Sequence, residues 1–321
     1  MIMAEAQRGD DDIFVYMGGN QVVPGGVRRA RIHKSVKIVR ARAFRNRWSL
    51  ISVEFHDGVE IIEEGAFYCC YSLKGPIKLL GVKIIKKKAF QQCPKLTDVE
   101  FGDKLETIGK LAFNECNALE KIMMPSVRII GEWAFSYCSE LIDVEFGEGL
   151  MTIQQSAICG CYELKRVVLP LKDDMIEDGA FDNCQKLTAV DLVGGVQNTV
   201  VSLHLESWRN EMTDEINHIN QTLSTAAFWQ KTRKIRQWME TVIRRLNHFK
   251  AEHHLLLKEA TTLLELALWK ANLDGNGGDR IDREGVRTTR GIRKRARKEI
   301  CVTSGASIVI KNVLPFLALK S

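Results

Sequence analysis

The sequence predicts an α/β protein in which a solenoid of short parallel strands precedes an α-helical region. Three observations carry this prediction. An Ala-Phe dipeptide, replaced once by Ala-Ile, returns seven times at spacings of 22 or 23 residues. Aliphatic, cysteine and leucine positions recur in step with it. Between residues 196 and 274 the chain contains neither glycine nor proline, and that absence favours helix.

Each repeat is defined by columns of residues that keep a fixed distance from the dipeptide. The alanines are Ala43, Ala66, Ala89, Ala112, Ala134, Ala157 and Ala180. A cysteine follows in every repeat except the first, which has Arg47 there: Cys70, Cys93, Cys116, Cys138, Cys161 and Cys184. A leucine comes next, at Leu50, Leu73, Leu96, Leu119, Leu141, Leu164 and Leu187. Such agreement between seven segments indicates a repeat architecture.

The columns predict one short strand in each repeat. In Leu96–Phe101 the alternation places Leu96, Val99 and Phe101 inward and the residues between them outward. A small alanine followed by phenylalanine fits a tight turn that closes the coil. Each repeat, or rung, then contacts only its neighbours, and both ends of the stack need a cover. We expect the leucine column to be buried throughout.

The solenoid is predicted to span residues 27–195 in about seven rungs. The segment Val27–Ile32 has the pattern of a rung strand, and Pro24-Gly25-Gly26 before it reads as a turn. Residues 1–26 are therefore interpreted as an N-terminal cap segment, in which Ile13–Val23 covers the open end.

The rung pattern I-x-x-x-A-F-x-x-C-x-x-L-x-x-V resembles the BspA-like leucine-rich repeat family, also called the Treponema-type repeat. The resemblance covers about residues 32–195 and implies a leucine-rich-repeat solenoid. Members of that family occur in surface proteins of bacteria and protists and in large sets of algal proteins. The segments Leu263–Lys270, Asp282–Gly285 and Val309–Leu317 are similar to the C-terminal region of uncharacterised algal members. The resemblance implies no enzymatic activity and no cofactor.

The C-terminal third is predicted to be helical over residues 196–274. Apolar residues from Phe228 to Ala267 recur at spacings of three and four, which places them on one helix face. We expect a helix over Leu205–Leu223, an N-cap at Thr225, and then a helical hairpin with a break near Phe249–His254. Residues 275–321 are interpreted as a basic helix and an apolar tail.

The first of these helical stretches is expected to cover the open end of the last rung. The columns stop near Leu192, and an uncovered rung would expose apolar residues and an unpaired strand edge. Because Leu205 and Trp208 follow soon after the last strand, we expect one of them to lie near Leu187 and Val190.

Charge is distributed unevenly along the chain. Residues 195–321 hold 21 Lys/Arg and 13 Asp/Glu and so carry a net charge of +8. Because the whole chain carries +6, residues 1–194 carry −2. Residues 1–12 have no apolar run that would predict a signal peptide, and no 18-residue apolar stretch predicts a membrane span. Nine cysteines, an odd number, then favour reduced thiols and an intracellular location, cytoplasmic or nuclear.

No motif predicts an enzyme, a metal site or a cofactor. The cysteine column could form disulfides between rungs, but small buried hydrophobic residues explain it more simply. Asp274–Asp279 matches a calcium loop at its first and third positions and fails afterwards, since Gly278 replaces the fifth ligand. The seven histidines have no nearby nucleophile and acid in a known arrangement.

We therefore expect a scaffold that binds an unidentified peptide or protein on the strand face. The candidate partner-binding residues are Glu54, Asp98, Glu100, Lys121, Met123, Ile142, Asp143, Glu145, Arg166 and Val168. Their acidic members could meet a basic partner, whereas Met123, Ile142 and Val168 could form an apolar centre. An ordinary solvated sheet face remains the plainer interpretation.

The alternative function is that of a nucleic-acid-associated or nuclear regulatory protein. Residues 280–298 hold nine basic and two acidic side chains, and phosphate contacts of a helix need such a basic face. The candidate residues are Arg287, Arg290, Arg293, Lys294, Arg295, Arg297 and Lys298. Two other interpretations of this basic face remain. It can simply be solvated, or it can pair with acidic residues of this chain or of a protein partner.

Overall fold

The computed structural model describes residues 13–194 and 206–276. In chain order its strands are β1 (Ile13–Tyr16), β2 (Arg29–Ile32), β3 (Ile38–Val39), β4 (Ser52–Glu54), β5 (Ile61–Ile62), β6 (Ile77–Leu79), β7 (Ile84–Ile85), β8 (Val99–Phe101), β9 (Thr107–Ile108), β10 (Lys121–Met124), β11 (Ile129–Ile130), β12 (Asp143–Phe146), β13 (Thr152–Ile153), β14 (Arg166–Leu169) and β15 (Ala189–Leu192). All the pairings are parallel, so the predicted α/β solenoid is confirmed.

The solenoid has two faces of parallel strands. The longer strands form the strand face, in three hydrogen-bonded groups: β1-β2-β4, β6-β8 and β10-β12-β14-β15. The shorter strands β3, β5, β7, β9, β11 and β13 form a second sheet. The sequence predicted only one strand per rung. The second strand was missed because its two residues are too few for an alternation to be visible, although its inward residue is the aliphatic column that precedes each alanine.

The core is a set of columns that run through the rungs, as predicted. The leucine column is buried throughout, with at most 1% of any side chain exposed. The rings of Phe44, Phe67, Phe90, Phe113 and Phe135 stack at centroid distances of 4.8, 5.0, 5.1 and 5.2 Å. Those distances match the spacing between hydrogen-bonded strands. Each ring therefore contacts the equivalent ring one rung away.

The cysteine column is explained by hydrogen bonding as well as by size. Each thiol donates to the carbonyl oxygen of the residue after the alanine in the preceding rung, as Cys116 Sγ does to Phe90 O at 3.1 Å. In the first rung Arg47 Nε donates to Val23 O at 2.7 Å instead. The eight described cysteines are buried free thiols. Cysteine thus combines a small volume with a donor for a buried backbone carbonyl.

The turn around the Ala-Phe dipeptide contains two left-handed residues. One precedes the alanine, as at Lys88 (φ 59°) and Leu111 (φ 58°), and the other lies two residues after the phenylalanine, as at Gln92 (φ 60°). Glycine takes the first of these positions at Gly65 and Gly179. Residues with a Cβ are strained in this conformation.

At Leu111 we expect a glycine variant to be more stable than an alanine variant, which is the reverse of the usual order of stability. Leu111→Ala and Leu111→Gly both remove a half-buried side chain, but only glycine relieves the positive φ. We expect Leu111→Gly to be more stable than Leu111→Ala by about 1 kcal/mol, measured by urea unfolding. At a position with a negative φ the alanine variant is the more stable one. If Leu111→Ala proves more stable than Leu111→Gly, the left-handed turn assigned to residue 111 is wrong.

The N-terminal end of the solenoid is covered by residues 13–23. Strand β1 pairs in parallel with β2, which adds one strand before the first Ala-Phe dipeptide. Tyr16 and Val23 are buried, and the Tyr16 ring lies 5.2 Å from that of Phe44. The aromatic stack therefore begins with a tilted tyrosine from the covering segment.

Two α-helices follow the solenoid: α1 (Glu206–Thr225) and α2 (Lys231–Asn276), joined by a 3-10 helix over Phe228–Gln230. The break expected near residues 249–254 was wrong, since α2 continues through it. No glycine or proline interrupts that stretch, so nothing in it stops the i to i−4 hydrogen bonds. Thr225 ends α1 and is not an N-cap, and α2 extends past Asp274, where a loop was expected.

The C-terminal cap replaces the hydrogen-bond acceptors of a further rung. In the earlier rungs the amide after the alanine donates to the alanine carbonyl of the next rung, as Phe113 N does to Ala134 O at 2.7 Å. Phe181, in the last rung, donates to Thr232 Oγ1 at 2.9 Å instead. Asn183 N likewise donates to Phe228 O at 3.1 Å, where Gly160 N had used Asp182 O.

The strand of the last rung is closed by the same segment. Val190 N donates to Asn220 Oδ1 at 2.9 Å, and the buried Lys231 Nζ donates to the carbonyl oxygens of Leu187 and Leu223. Residues 211–243 belong to the same compact unit as the solenoid. The expected contact of Leu205 or Trp208 lies outside the described side chains. The described contacts of the cap instead come from the end of α1 and the start of α2.

Thr232→Val should weaken this cap without changing its shape. Valine has nearly the same volume but leaves Phe181 N–H without its acceptor and Asp182 Oδ1 without its 2.7 Å donor. We expect a loss of about 1–3 kcal/mol in the free energy of unfolding, the cost of unsatisfied buried polar groups. Thr241→Val is the control, because Thr241 Oγ1 donates to Gln237 O within its own helix. Equal losses for both variants would contradict the capping role.

Candidate interaction surface on the strand face

The strand face presents two rows of outward side chains across neighbouring strands. Register pairs Lys121 with Asp143, and Asp143 with Arg166. The other row passes through Met123, which pairs with Glu145. These positions alternate with buried ones, because successive residues of a strand point to opposite sides.

Ion pairs within the chain neutralise much of the predicted acidic ridge. Arg31 Nε lies 2.5 Å from Glu54 Oε2, and Lys78 Nζ lies 3.1 Å from Glu100 Oε2. Each of these pairs joins adjacent strands and is about half exposed, so each contributes little to stability. Their effect is to reduce the charge that the face offers to a basic partner.

Arg166 connects three carboxylates at the C-terminal end of the face. Its guanidinium donates to Asp191 at 2.7 Å, to Glu145 at 2.7 Å and to Asp143 at 3.2 Å. Hydrogen bonds to Glu145 and then Asp191 raise the pKa of Arg166 above its ordinary value. Three carboxylates against one guanidinium leave a local excess of negative charge, held in place by a single side chain.

The apolar centre expected on this face reduces to one exposed residue. Met123 is 64% exposed, whereas Val168 is only 8% exposed. Val168 was expected to point outward from the strand face, and it pairs in register with Asp191. The structure nevertheless buries its side chain, beside the strands whose Glu145 and Asp191 converge on Arg166. Ile142 is half-buried and precedes β12. Lys121, two residues before Met123 on β10, is exposed, as is Asp98, which directly precedes β8.

The turn side of the solenoid carries exposed aromatic residues that the sequence analysis did not single out. Trp48 is 61% exposed, and Tyr71 and Tyr162 are 43% and 40% exposed. All three occupy one column, immediately after Arg47 or a column cysteine. That column also contains Pro94, Asn117 and Ser139, so its aromatic character is visible only when the rungs are aligned.

Several predictions fall outside this surface. The basic residues 287–298 lie outside the described part of the chain, as does the apolar tail.

Within residues 13–194 and 206–276, no group of three or more His, Cys, Asp or Glu side chains is arranged to hold a metal ion. In the same residues, neither helix combines the length and the apolar composition that crossing a membrane requires.

The repeats of the solenoid match the model of a known protein family. The model of the BspA type leucine rich repeat region matches residues 26–141 and 77–188 with six copies, which together cover half of the chain. A leucine rich cell surface protein from Faecalibacterium prausnitzii A2-165 is 27% identical, with a TM-score of 0.43, over 57% of this chain and 48% of its own. The leucine rich repeat protein of T. pallidum is 26% identical, with a TM-score of 0.43, over 58% of this chain and 83% of its own.

The match to the first of these structures thus spans about half the length of that protein. A search of curated protein sequences found no match.

Proposed function

We propose that this chain, which belongs to the BspA type leucine rich repeat family, is a scaffold that binds a peptide or protein segment across the strand face at Met123. Leucine-rich repeat proteins generally serve as protein-interaction scaffolds and are typically not enzymes. The observation that carries the proposal is the 64% exposure of Met123 on a face whose charges are largely paired with one another.

The chemistry of the face favours a partner that offers an apolar side chain. Methionine is enriched at protein interfaces and adapts its shape to different ligands. Because Glu54, Glu100 and Glu145 already have cationic neighbours, a basic partner would have to compete with Arg31, Lys78 and Arg166. The acidic ridge is therefore a weaker basis for recognition than Met123.

Met123 alone is too small to hold a partner. Full burial of a methionine side chain stabilises a complex by about 1.5–3 kcal/mol, whereas micromolar binding needs about 8 kcal/mol. A stable complex also covers about 800 Å² on each partner. The bound segment must accordingly extend over several neighbouring strands, which places Lys121 and Asp98 at its rim.

A peptide selection on the whole chain tests this proposal. Random linear peptides displayed on phage are selected on the purified protein, and the affinity of the selected peptides is then measured by calorimetry. Met123→Glu should weaken them by at least about tenfold, because it places a charge in an apolar contact. Met151→Glu is the matched control, since Met151 is 54% exposed but precedes β13 of the second sheet. Unchanged affinity for Met123→Glu would exclude the strand face as the binding surface.

We also propose an intracellular location, in keeping with a cysteine column built of reduced thiols. The thiols donate hydrogen bonds to backbone carbonyls, a role that a disulfide would remove. Mass spectrometry of the native protein from cells, alkylated after unfolding without reduction, should find the column labelled. Extensive disulfides would overturn the proposed location.

A further inference from the structure

Three cations surround a tyrosine on the turn side of the first rungs. Arg42, Arg45 and Lys88 line a surface depression of about 220 Å³ together with Glu64, Gly65 and Tyr68. The Arg45 guanidinium carbon lies 5.3 Å from the centre of the Tyr68 ring, and Lys88 Nζ lies 6.0 Å from it. Residues of three successive rungs are thereby brought to one place.

The depression results from the repeat itself. Arg42, Gly65 and Lys88 occupy the same left-handed position in consecutive rungs, at φ values of 61°, 61° and 59°. Because the middle member is glycine, no side chain fills the space between the two cations. A Cβ at residue 65 would lie 3.7 Å from both Arg42 Cγ and Tyr68 Cβ. Gly65 thus forms the floor of the depression.

The cations of this depression are available to a ligand. Lys86, two residues before Lys88, pairs with Glu63 at 3.3 Å, and Lys110 of the next rung pairs with Glu132 at 2.6 Å. Within the described residues, by contrast, no carboxylate lies within ion-pairing distance of Arg42, Arg45 or Lys88. Tyr68 holds Arg45 and Lys88 by cation–π contacts, which position them without neutralising them.

The charge and size of the depression select the ligand class. Three cations and the carboxylate of Glu64 leave a net charge of about +2, which complements a phosphomonoester at −1.5 to −2 near pH 7. A volume of 220 Å³ is below the roughly 300–1,000 Å³ of ordinary small-molecule pockets. It suits one anionic group better than a whole ligand, and arginine is well adapted to bind phosphate oxygens.

We propose that Arg42, Arg45 and Lys88 form a binding site for a phosphomonoester group, with Gly65 as its floor and Tyr68 as its wall. The site lies in the turns and not on the strand face, so it is independent of the Met123 surface. The phosphate group can come from a free small molecule or from a phosphorylated peptide. The chemistry recognised is the same in both cases.

Calorimetry on the full chain at pH 7 and low salt tests the site, with inorganic phosphate and a phosphoserine peptide as probes and the unphosphorylated peptide as a blank. The double variant R45Q/K88Q should weaken binding by at least about tenfold, since charged hydrogen bonds contribute most of the affinity. K74Q/K95Q removes two exposed lysines elsewhere on the second and third rungs and should change the affinity less than about twofold. Glu64→Gln should strengthen binding, because it removes the opposing charge.

The outcomes separate the possibilities. Binding of inorganic phosphate alone assigns the site to a small molecule, and tighter binding of the phosphopeptide assigns it to a phosphorylated segment. Binding of neither probe overturns the proposal. So does an equal loss in R45Q/K88Q and K74Q/K95Q, which would mean that only the overall positive charge attracts phosphate. Thermal unfolding of each variant shows whether it is folded.

Discussion

Above pH 9 the solenoid should lose stability steeply, because its buried thiols can ionise only after unfolding. Burial raises the pKa of Cys93, Cys116, Cys161 and Cys184 above the ordinary value of 9.0, and raises that of Cys138 to about 12. In Cys70 a hydrogen bond with Cys93 is the larger cause, followed by burial. A group whose pKa is raised on folding stabilises the folded state fully below its unfolded pKa and loses that contribution as the pH rises.

The expected size of this effect is comparable with the stability of a whole domain. One pH unit above an unfolded pKa of 9.0, a thiol that stays protonated in the folded state, as Cys138 does, costs about 1.4 kcal/mol. Six column thiols therefore cost at most roughly 8 kcal/mol together. Domains are stable by about 5–15 kcal/mol. Urea unfolding under reducing conditions at pH 8, 9 and 10 should therefore show the transition collapsing between pH 9 and 10.

Variants of the column distinguish the thiols from other alkaline groups. Each Cys→Ala replacement removes one titrating thiol, so Cys138→Ala should reduce the loss of stability between pH 9 and 10 by about 1 kcal/mol, and Cys116→Ala should reduce it as well. They lower stability at pH 8 as well, but the loss between pH 9 and 10 is measured within one variant. If that loss is unchanged, the thiols are not its source.

Phe113→Ala should be strongly destabilising, because Phe113 lies inside the aromatic stack. Its fully buried ring stacks on Phe90 at 5.1 Å and on Phe135 at 5.2 Å, and the edge of Phe101 lies 5.7 Å away. We expect a loss of about 3–5 kcal/mol in urea unfolding, the usual cost of such a core deletion.

Position along the stack provides the comparison. Phe44→Ala should cost less, because the first rung is closed on one side only by the N-terminal segment and can open locally without the central rungs. Phe113→Ile should retain much of the stability, since Ile158 occupies the same column in the sixth rung. Equal losses at Phe44 and Phe113 would count against a structure stabilised by nearest-neighbour contacts.

The rung architecture could be predicted because seven copies repeat the same physical requirements. A buried leucine, a stacked phenylalanine and a small cysteine recur at a fixed phase, and together they predict the core correctly. The second sheet was not predictable from alternation, since it uses two residues per strand. The continuity of α2 was missed because a histidine pair within an apolar pattern resembles a break, while the hydrogen bonds of a helix depend on the backbone.

The candidate site was harder to predict from the sequence than the fold. Ion pairs between rungs decide which charged side chains are left unpaired for a partner. Glu54 and Glu100 look like acidic recognition residues until Arg31 and Lys78 are found beside them, 23 and 22 positions away. The depression at Gly65 is visible only when the same position is compared in three aligned rungs. In both cases the deciding contacts are between rungs, and a linear motif does not contain them.

The way in which Thr232 and Phe228 close the last rung bears on how solenoids of this kind change length. These residues present acceptors where an additional rung would present its own carbonyls. Because the cap offers acceptors for backbone N–H groups that every rung has, it does not depend on how many rungs precede it. Duplication or loss of a whole 23-residue segment would therefore leave both the junction and the cap intact. Such a chain can gain or lose surface in steps of one repeat while its end remains the same.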